Sequence, residues 1–237
     1  MEITKIATFH SPFSSKFGIP KQSGLVEELE GTVTFEPGYR QQDYIRGIEG
    51  FDFLWLIWGF SANRHKANSP VVRPPVLGGN EKVGVFATRS PFRPNPLGLS
   101  SVRLLSVEHD TAEGTVLHVG GADIMDGTPI YDIKPYLPYS DAHQEARSGF
   151  SHPDDIDRLG VVIPDEVASV FSTQQLEALR KTLELDPRPS YHCDPEKTYG
   201  VCFMSQDIHF RVANGVCTVI NSQPQKETAT DRQNTIR

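Results

Sequence analysis

Residues 102–133 read VRLLSVEHDTAEGTVLHVGGADIMDGTPIYDI, and this stretch decides the fold. It contains three runs of β-branched and apolar residues, at Val102–Val107, Thr115–Val119 and Pro129–Ile133, separated by clusters rich in Gly and Asp. Such runs predict short strands. No helical pattern lies between them, whereas parallel strands need a long crossover that is usually a helix. The stretch therefore predicts an antiparallel sheet.

Similar runs occur upstream of this stretch. They are Ile3, Ile6 and Phe9, then Val33 and Phe35, then Phe53–Phe60, then Val83–Ala87. The one helical signal among them is a short turn at Asp43–Ile48. A succession of short strands without helices favours a closed or sandwiched sheet. We therefore predict a mainly β protein in which residues 1–138 form a β-barrel domain.

The pattern changes after residue 138. Residues 139–160 show little apolar periodicity and predict a linker or surface loop. Further on, Ser172-Thr-Gln-Gln175 has the form of a capping box, and leucines recur at helical spacing until Pro187 ends the helix. Three short strands follow, at Tyr199–Met204, Ile208–Val212 and Val216–Ile220, with a hairpin signal at Ala213-Asn-Gly215. We predict a small α+β domain at 161–220 and a disordered tail at 221–237.

Composition argues against several classes of protein. The chain has 237 residues, 38% of them apolar, and a formal net charge of −7. Its longest apolar run, Phe53–Phe60, is far shorter than the roughly 20 residues that span a bilayer, and the N-terminus lacks an export signal. Cys193, Cys202 and Cys217 form an odd set without C-x-x-C spacing, which argues against a disulfide framework or structural zinc. We expect a cytoplasmic protein without a membrane partner or a metal.

Basic residues concentrate in one segment of this acidic chain. Residues 64–93 hold one acid, Glu81, and six basic residues: Arg64, Lys66, Arg73, Lys82, Arg89 and Arg93. Prolines follow two of the arginines, in Arg73-Pro-Pro75 and Arg93-Pro-Asn-Pro96, and restrict the backbone there. Arginines fixed in this way suit recognition of a phosphate or a carboxylate, although a solvated surface explains the charge alone equally well.

Two turn-rich stretches carry the candidate chemistry. The first, residues 78–100, places Arg89, Arg93 and Asn95 in a loop that follows a short strand. The second, residues 119–129, holds Asp123 and Asp126, although Asp-Gly-Thr-Pro is also an ordinary turn. The sequence lacks the fingerprints of a Rossmann cofactor site, a P-loop and an α/β-hydrolase nucleophile.

Three motifs carry a resemblance to a known family. They are Gly84–Gly98 (GVFATRSPFRPNPLG), the preceding Val72-Arg-Pro-Pro75, and the following Asp126–Tyr136 (DGTPIYDIKPY). With these motifs, and with Asp186–Tyr191 and Lys197–Tyr199, the chain closely resembles the TsaA/TrmO-like family of tRNA methyltransferases. The resemblance implies a homodimeric β-barrel enzyme that uses S-adenosylmethionine. Its implied substrate is tRNA, methylated on the exocyclic N6 of N6-threonylcarbamoyladenosine at position 37, beside the anticodon.

The family's cofactor contacts correspond to several separate parts of this sequence. The residues are Pro20, Lys21, Gln22, Ser61, Ala62, Arg89, Leu99, Asp123, Ile124, Met125 and Asp126. Relatives carry Pro-Arg-Gln where this chain has Lys21, and His-Gln where it has Ser61-Ala62, so we expect backbone contacts there. Carboxylates suit the ribose or the ammonium of S-adenosylmethionine, and Arg89 or Lys21 suits its carboxylate.

The resemblance also suggests catalytic and RNA-binding residues. Asp132 is the candidate acceptor for the N–H of the modified amine, and Tyr136 is the candidate stacking surface for the base. The analogy is with the D/N-P-P-Y/F segment of other amino-methyltransferases, and an ordinary strand end explains both residues equally well. RNA contacts are assigned to Arg73, Arg93, Asn95, Lys134 and Arg188, with Tyr191 beside the last. Alternatively, Lys134 meets the threonyl carboxylate, and Asp186-Pro-Arg-Pro only ends the helix.

Two further functions stay open on the residues alone. A non-catalytic module would bind a nucleotide or RNA through the arginine-rich loop. A metal-assisted hydrolase would use the carboxylates of Asp123, Asp126 and Asp132. Binding of S-adenosylmethionine without added metal distinguishes the methyltransferase from both alternatives.

Overall fold

A closed antiparallel barrel forms the N-terminal part of the protein. The structure, a computed structural model, describes residues 2–63, 69–151, 158–189 and 194–225. The barrel strands are β1 (Ala7–His10), β2 (Glu30–Phe35), β3 (Phe53–Gly59), β6 (Leu97–Thr111), β7 (Gly114–Gly120) and β8 (Thr128–Pro135). They follow one another around the barrel in the order β1-β2-β7-β6-β3-β8, and neighbouring strands are antiparallel. The predicted mainly β fold with an N-terminal barrel is confirmed.

Side chains that alternate along each strand fill the barrel. In β3, Leu54, Leu56 and Trp58 are buried, while the residues between them are only partly buried. Phe9, Leu117 and other inward-facing residues of the neighbouring strands join the same apolar core. The interior is therefore packed solid, as expected for a barrel with so few strands. A binding site must lie at an end of the barrel or on its outer face.

The loop between β3 and β6 departs from the sequence prediction in two places. Val83–Ala87 was predicted as one strand, but β5 ends after Val83–Gly84 and Val85–Ala87 is a 3-10 turn. The partner of β5 is β4 (Val71–Val72), and the two form a separate small sheet. Leu97 and Gly98, predicted as the end of the loop, begin the 15-residue strand β6. Arg64 and Lys66 of the basic segment lie outside the described residues.

A second sheet with one main helix forms the C-terminal part. After a short helix α1 (Pro138–Asp141), its elements are β9 (Gly160–Val162), α2 (Asp165–Ala168), α3 (Thr173–Glu184), β10 (Tyr199–Phe203), β11 (Gln206–Ala213) and β12 (Val216–Pro224). The sheet order is β10-β11-β12-β9, with β9 parallel to β12. Neither β9 nor the two short helices were predicted. No helix in the described ranges is long and apolar enough to cross a bilayer.

Local signals fix the predicted helix and hairpin. The Gln175 backbone N–H donates to Ser172 Oγ at 3.2 Å, and the Ser172 N–H donates to Gln175 Oε1 at 3.0 Å. This reciprocal pair is the predicted capping box at the start of α3. Between β11 and β12, Asn214 and Gly215 have φ of +50° and +75°, as a two-residue hairpin of type I′ requires.

The predicted disordered tail begins too early. Strand β12 continues to Pro224, which is paired with Gln206 at the start of β11. Because β11 offers a partner along this length, residues 221–224 are strand despite their polar sequence. Residues 226–237 of that tail, together with Tyr191 and Cys193, lie outside the described residues.

The segment between β1 and β2 joins the two parts of the molecule. Its residues Phe13, Val26 and Leu29 are buried in the core of the C-terminal sheet rather than in the barrel. The Met204 backbone N–H donates to the Pro12 carbonyl at 2.8 Å, and Lys181 of α3 pairs with Glu28. Residues 11–29 are thus held from both sides, and this fixes the predicted cofactor residues Pro20 to Gln22.

Candidate active site

A cavity of about 650 Å³ lies at one end of the barrel, where five segments meet. They are parts of residues 16–22, the end of β3 with residues 60–63, the loop 88–95, the start of β6, and the turn 123–128. The cavity brings together the predicted cofactor residues Pro20, Lys21, Gln22, Ser61, Ala62, Arg89, Leu99, Asp123 and Met125. Arg93 and Asn95, predicted to contact RNA, line the same cavity.

A chain of hydrogen bonds leads from the barrel core to the carboxylate of Asp123. The indole N–H of Trp58 donates to Ser100 Oγ at 2.9 Å, and the Ser100 hydroxyl donates to Asp123 Oδ1 at 2.5 Å. Ser100 is only 1% exposed. Burial raises the pKa of Asp123, and the hydrogen bond from Ser100 and the charge of Arg89 partly offset that rise.

Glycine makes room for the Trp58 ring. Gly98 lies opposite Trp58 on β6, and a Cβ at this position would lie 2.3 Å from the indole ring. Only glycine therefore lets the indole lie against β6 and reach Ser100. Sequence reasoning missed both Trp58 and Ser100. The available signal for Ser100 was a polar residue two positions before Val102, and thus on the same, inward-facing side of β6.

Four cationic side chains line the cavity: Lys16, Lys21, Arg89 and Arg93. The charge of Arg89 acts on the Asp123 carboxylate. Arg89 donates from Nη1 to Gln22 Oε1, which joins the loop 88–95 to the segment 16–22. Lys16 donates to Asn63 Oδ1 and joins that segment to the end of β3. Arg93 donates to the carbonyl of Thr88 at 3.0 Å and supports the loop from within. The cavity therefore holds cations near one partly buried carboxylate.

The four predicted residues 123–126 do not all face the cavity. Asp123 and Met125 line it, whereas Ile124 is buried in the barrel core. Asp126 turns to His10 at the end of β1, with 3.3 Å between Oδ1 and Nδ1, and accepts from the Ser11 N–H at 3.2 Å. This pairing lowers the pKa of Asp126 and raises that of His10. The Asp126 carboxylate thus anchors the turn to β1, while Asp123 lines the cavity.

The predicted catalytic pair lies outside the cavity lining. Asp132 is opposite Ile57 of β3, and its carboxylate pairs with Lys134 at 2.8 Å. The Tyr136 ring packs on Trp55, with ring centroids 5.5 Å apart, and Trp55 itself lines the cavity. Asp132 therefore lies on β8 and Tyr136 directly follows that strand, and neither is among the residues that line the cavity. Their catalytic roles stay a prediction.

Two predicted RNA-binding residues lie elsewhere. Arg73 is exposed beside β4. The Arg188 guanidinium donates two hydrogen bonds to the Asp186 carboxylate, both of 2.8 Å, and only 14% of the Arg188 side chain is exposed. Much of the Arg188 guanidinium is therefore occupied within the fold. Its contact with RNA stays a prediction.

Carboxylates that a metal-assisted hydrolase would need are dispersed. Asp123 is bonded to Ser100, Asp126 to His10 and Asp132 to Lys134. Across residues 2–63, 69–151, 158–189 and 194–225, no three His, Cys, Asp or Glu side chains are grouped to hold a metal ion. Cys217 is buried, which raises its pKa to about 12, and Cys193 and His192 lie outside the described residues.

Comparison with known proteins defines the class. The tRNA-methyltransferase O N-terminal domain matches residues 8–142, and the TrmO C-terminal domain matches residues 158–225. The fold and these matches describe a tRNA methyltransferase built on a β-barrel. The chain belongs to the TrmO family, as the sequence motifs predicted.

Individual relatives agree along nearly the whole chain. The tRNA (adenine(37)-N6)-methyltransferase of Escherichia coli K12 is 36% identical over 94% of this chain and 98% of its own length. A Pseudomonas aeruginosa protein named "Putative S-adenosylmethionine-dependent methyltransferase RcsF" is 35% identical over 88% of this chain and 91% of its own. A crystal structure of TrmO superposes with a TM-score of 0.76 and 30% identity, covering 94% of this chain and 98% of that one.

Proposed function

We propose that this protein transfers a methyl group from S-adenosylmethionine to the exocyclic N6 of adenine 37 in tRNA, and that this adenine carries a threonylcarbamoyl group. The cavity at the barrel end carries the proposal, because it combines cations, a partly buried carboxylate and apolar walls in one place. The relatives named as methyltransferases of this tRNA position support the same reaction. We place the protein in the cytoplasm with its tRNA substrate.

The cavity residues fit S-adenosylmethionine. A volume of about 650 Å³ lies within the range of roughly 300–1,000 Å³ typical of small-molecule sites. Arg89 and Lys21 suit the carboxylate of the amino acid part, and Asp123 suits an ammonium or ribose hydroxyl. Trp58, Leu99 and Met125 supply apolar contacts. When bound there, S-adenosylmethionine supplies an electrophilic methyl group.

Catalysis on this site is mainly a matter of positioning. Methyl transfer is an in-line displacement, so the amine, the methyl carbon and the sulfur must be aligned. The acceptor nitrogen is a weak nucleophile because its lone pair is delocalised into the purine ring and the carbamoyl group. We assign Arg93 and Asn95, which line the same cavity, to contacts with the RNA, and an anticodon-loop base can leave its stack at modest cost.

The decisive experiment is methyl transfer with purified tRNA. Incubation with S-adenosylmethionine and tRNA that carries or lacks the threonylcarbamoyl group should yield the methylated nucleoside only from the modified tRNA, as measured by nucleoside mass spectrometry. Methylation of unmodified adenosine alone would show that the acceptor is wrong. Binding of cofactor and tRNA without any methylated product would favour the non-catalytic module.

Arg89→Ala should weaken binding of S-adenosylhomocysteine. Loss of a hydrogen bond to a charged group costs about 1.5–3 kcal/mol, which corresponds to roughly a tenfold to hundredfold increase in Kd. Isothermal titration calorimetry measures this increase in Kd. The control is Arg46→Ala, which removes an exposed arginine paired only with Asp43 among the described residues. Equal Kd values for wild type and Arg89→Ala would remove Arg89 from the cofactor site.

We also propose that the protein is a homodimer, because the segment around the cavity exposes large apolar side chains. Phe86 is 77% exposed, Leu99 54% and Val76 53%. Large apolar side chains that stay exposed in one part of a surface mark interaction sites. Phe86→Ser should shift the mass measured by light scattering from dimer to monomer, whereas Tyr139→Ser, at an exposed residue of α1, should not. A monomeric wild type would contradict the proposal.

A further inference from the structure

A second, smaller cavity adjoins the first across the paired ends of β3 and β6. Its volume is about 330 Å³. Five residues line both cavities: Gly59, Phe60, Ser61, Asn95 and Leu97. On its far side the second cavity is closed by Ile3, Pro96 and Tyr131. The residues that line both cavities form a ridge between them, in which the Phe60 N–H donates to the Pro96 carbonyl at 2.9 Å.

A β-bulge places Tyr131 at this cavity. Strand β8 pairs Asp132 with Ile57 but Ile130 with Trp58, so Tyr131 has no partner residue on β3. Bulges re-aim side chains and occur often beside active sites. The Tyr131 ring lies against Gly59, where a Cβ would approach its Cε2 to 2.7 Å. The bulge and the glycine together set the ring on the wall of the cavity.

The polar groups of this cavity are available to a ligand. Within the parts of the chain that the structure describes, neither the Asn95 amide nor the Tyr131 hydroxyl makes a side-chain hydrogen bond. The Phe60 ring is held edge-on by Trp58, with centroids 4.4 Å apart. An aromatic wall combined with an amide, which both donates and accepts, matches a purine base. Stacking on the ring and edge recognition by the amide are the usual ways to hold an unstacked base.

We infer that the second cavity holds the acceptor adenine of the tRNA, with Tyr131 as the stacking surface and Asn95 at the base edge. This inference rests on the proposed function, since it names where the methyl acceptor binds. Because the two cavities share this ridge, a base in the second cavity would have its exocyclic amine beside the cofactor cavity. Gly59 of that ridge has no side chain, and the Tyr131 ring occupies the space beside it. Tyr136, the stacking surface that the sequence suggests, packs on Trp55 and is not among the residues that line the second cavity.

Photocrosslinking tests the location without relying on turnover. An anticodon stem-loop RNA with 8-azidoadenosine at position 37 is bound in the presence of S-adenosylhomocysteine, after a gel shift has shown that the complex forms. Irradiation should attach the base to peptides containing Phe60 or Tyr131. Attachment only to Trp55 or Tyr136, or no attachment in a formed complex, would overturn the inference.

Substitutions of Tyr131 test its role. Stacking of one base contributes about 1–3 kcal/mol, so Tyr131→Ala should lower kcat/KM for tRNA roughly tenfold to hundredfold. Tyr131→Phe keeps the ring and should retain most of the activity. The Kd of S-adenosylhomocysteine should stay within about twofold in both variants, and thermal melting shows that they are folded. Tyr44→Ala, at an exposed tyrosine on a separate 3-10 turn, is the control.

The outcomes separate this inference from the proposed function. A wild-type protein that methylates no tRNA refutes the proposed function. An active wild type whose Tyr131→Ala variant is folded and equally active refutes the adenine site alone. If the variant loses affinity for S-adenosylhomocysteine to the same degree as activity, Tyr131 belongs to the cofactor cavity, and the inference is again wrong.

Discussion

Ser100 shows how a single buried hydroxyl can set the state of a binding carboxylate. A hydroxyl has one hydrogen to donate, and Ser100 donates it to Asp123 while it accepts from the Trp58 indole. Burial alone disfavours the ionised form of Asp123, and the donor counteracts this. The neutral or ionised state of a residue facing the cofactor cavity thus depends on a side chain that does not itself line the cavity.

Ser100→Ala should raise the pKa of Asp123 further, because the carboxylate loses its donor while it stays partly buried. If an ionised Asp123 binds the cofactor, affinity falls as the pH drops through this pKa, and the variant loses affinity at a higher pH than wild type does. We expect about a tenfold weaker Kd for S-adenosylhomocysteine near neutral pH. Isothermal titration across a pH series measures the shift.

The neighbouring serine supplies the control for this prediction. Ser101 follows on β6, is only partly buried, and lies opposite Trp55 on the other face of the strand. Ser101→Ala should leave the Kd and its pH dependence unchanged. Overlapping pH profiles for wild type and Ser100→Ala would show that Asp123 does not depend on this hydroxyl.

Single residues also show where sequence reasoning reaches its limit. Arg89 and Asp123 were identifiable because they lie in motifs of unusual composition. The different contacts of Asp123 and Asp126 were not identifiable, because they depend on the direction in which a tight turn points each carboxylate. Asp126 faces His10, which is more than a hundred residues away in sequence, and no local sequence pattern predicts that contact.

At the scale of elements, the turn 123–128 is fastened to strand β1. Besides the ion pair of Asp126 with His10, the Gly127 N–H donates to the Phe9 carbonyl at 2.9 Å, and the Asp126 N–H donates to that of Phe13 at 2.9 Å. The position of Asp123 in the cavity therefore depends on the end of β1. The ion pair is nearly half exposed, so solvent screens it and its contribution is below about 1 kcal/mol.

This ion pair predicts a pH dependence of stability. The pKa of His10 is raised in the folded state. The contribution of His10 to the free energy of unfolding is therefore complete below its ordinary pKa of 6.5 and is lost as the pH rises through its pKa in the folded state. The lowered pKa of Asp126 means that its contribution is complete above 3.8 and is lost on acidification. The free-energy difference between wild type and His10→Gln should thus be largest near pH 5 and shrink towards pH 8.

Chemical denaturation at several pH values measures this difference, and added salt should reduce it. A difference that is constant from pH 5 to pH 8 would mean that His10 acts only through its neutral hydrogen bonds, such as the 3.0 Å contact with Thr34. The pH dependence of the Ser101→Ala variant, which leaves the pair intact, should match wild type.

Elements with strong local signals were predictable, and elements defined by distant partners were not. Helix α3 has a capping box and leucines at helical spacing, and β11 and β12 flank a hairpin signal. Strand β9 has only three residues and exists because β12 offers it a parallel edge. The Val85–Ala87 turn looks like strand in sequence, yet it follows a sheet of only two short strands. Its Val85 N–H still donates to the Pro70 carbonyl at 2.9 Å, but no strand within the described residues pairs with it further.

At the scale of the whole molecule, residues 11–29 connect the C-terminal sheet to the cofactor cavity, because they pack against that sheet and also line the cavity. Gly18 has φ of +94°, and a Cβ there would lie 2.2 Å from Val201 of β10. Gly24 of the same segment has φ of +80° but has space around it. A substitution at Gly24 therefore tests backbone strain alone, whereas a substitution at Gly18 tests strain together with close packing against the second sheet.

Gly18→Ala should lower the free energy of unfolding by more than about 2 kcal/mol, because strain and overpacking add. Gly24→Ala carries only the strain, roughly 1 kcal/mol. Because Gly18 lies two residues before Pro20, its substitution should also weaken S-adenosylhomocysteine binding, whereas Gly24→Ala should not. Denaturation and isothermal titration measure both effects. Equal losses in the two variants would show that the contact with Val201 is unimportant.

The parallel pairing of β9 with β12 has a consequence for biosynthesis. Strands β1 to β8 leave the ribosome before residue 136, and N-terminal regions generally fold first. The sheet that covers Phe13, Val26 and Leu29 needs Val216–Pro224, the last strand within the described residues. A nascent chain can thus close its barrel early, yet the wall formed by residues 16–22 gains its support only after Val216–Pro224 has left the ribosome. A product truncated before Val216 would therefore hold the methyl donor poorly.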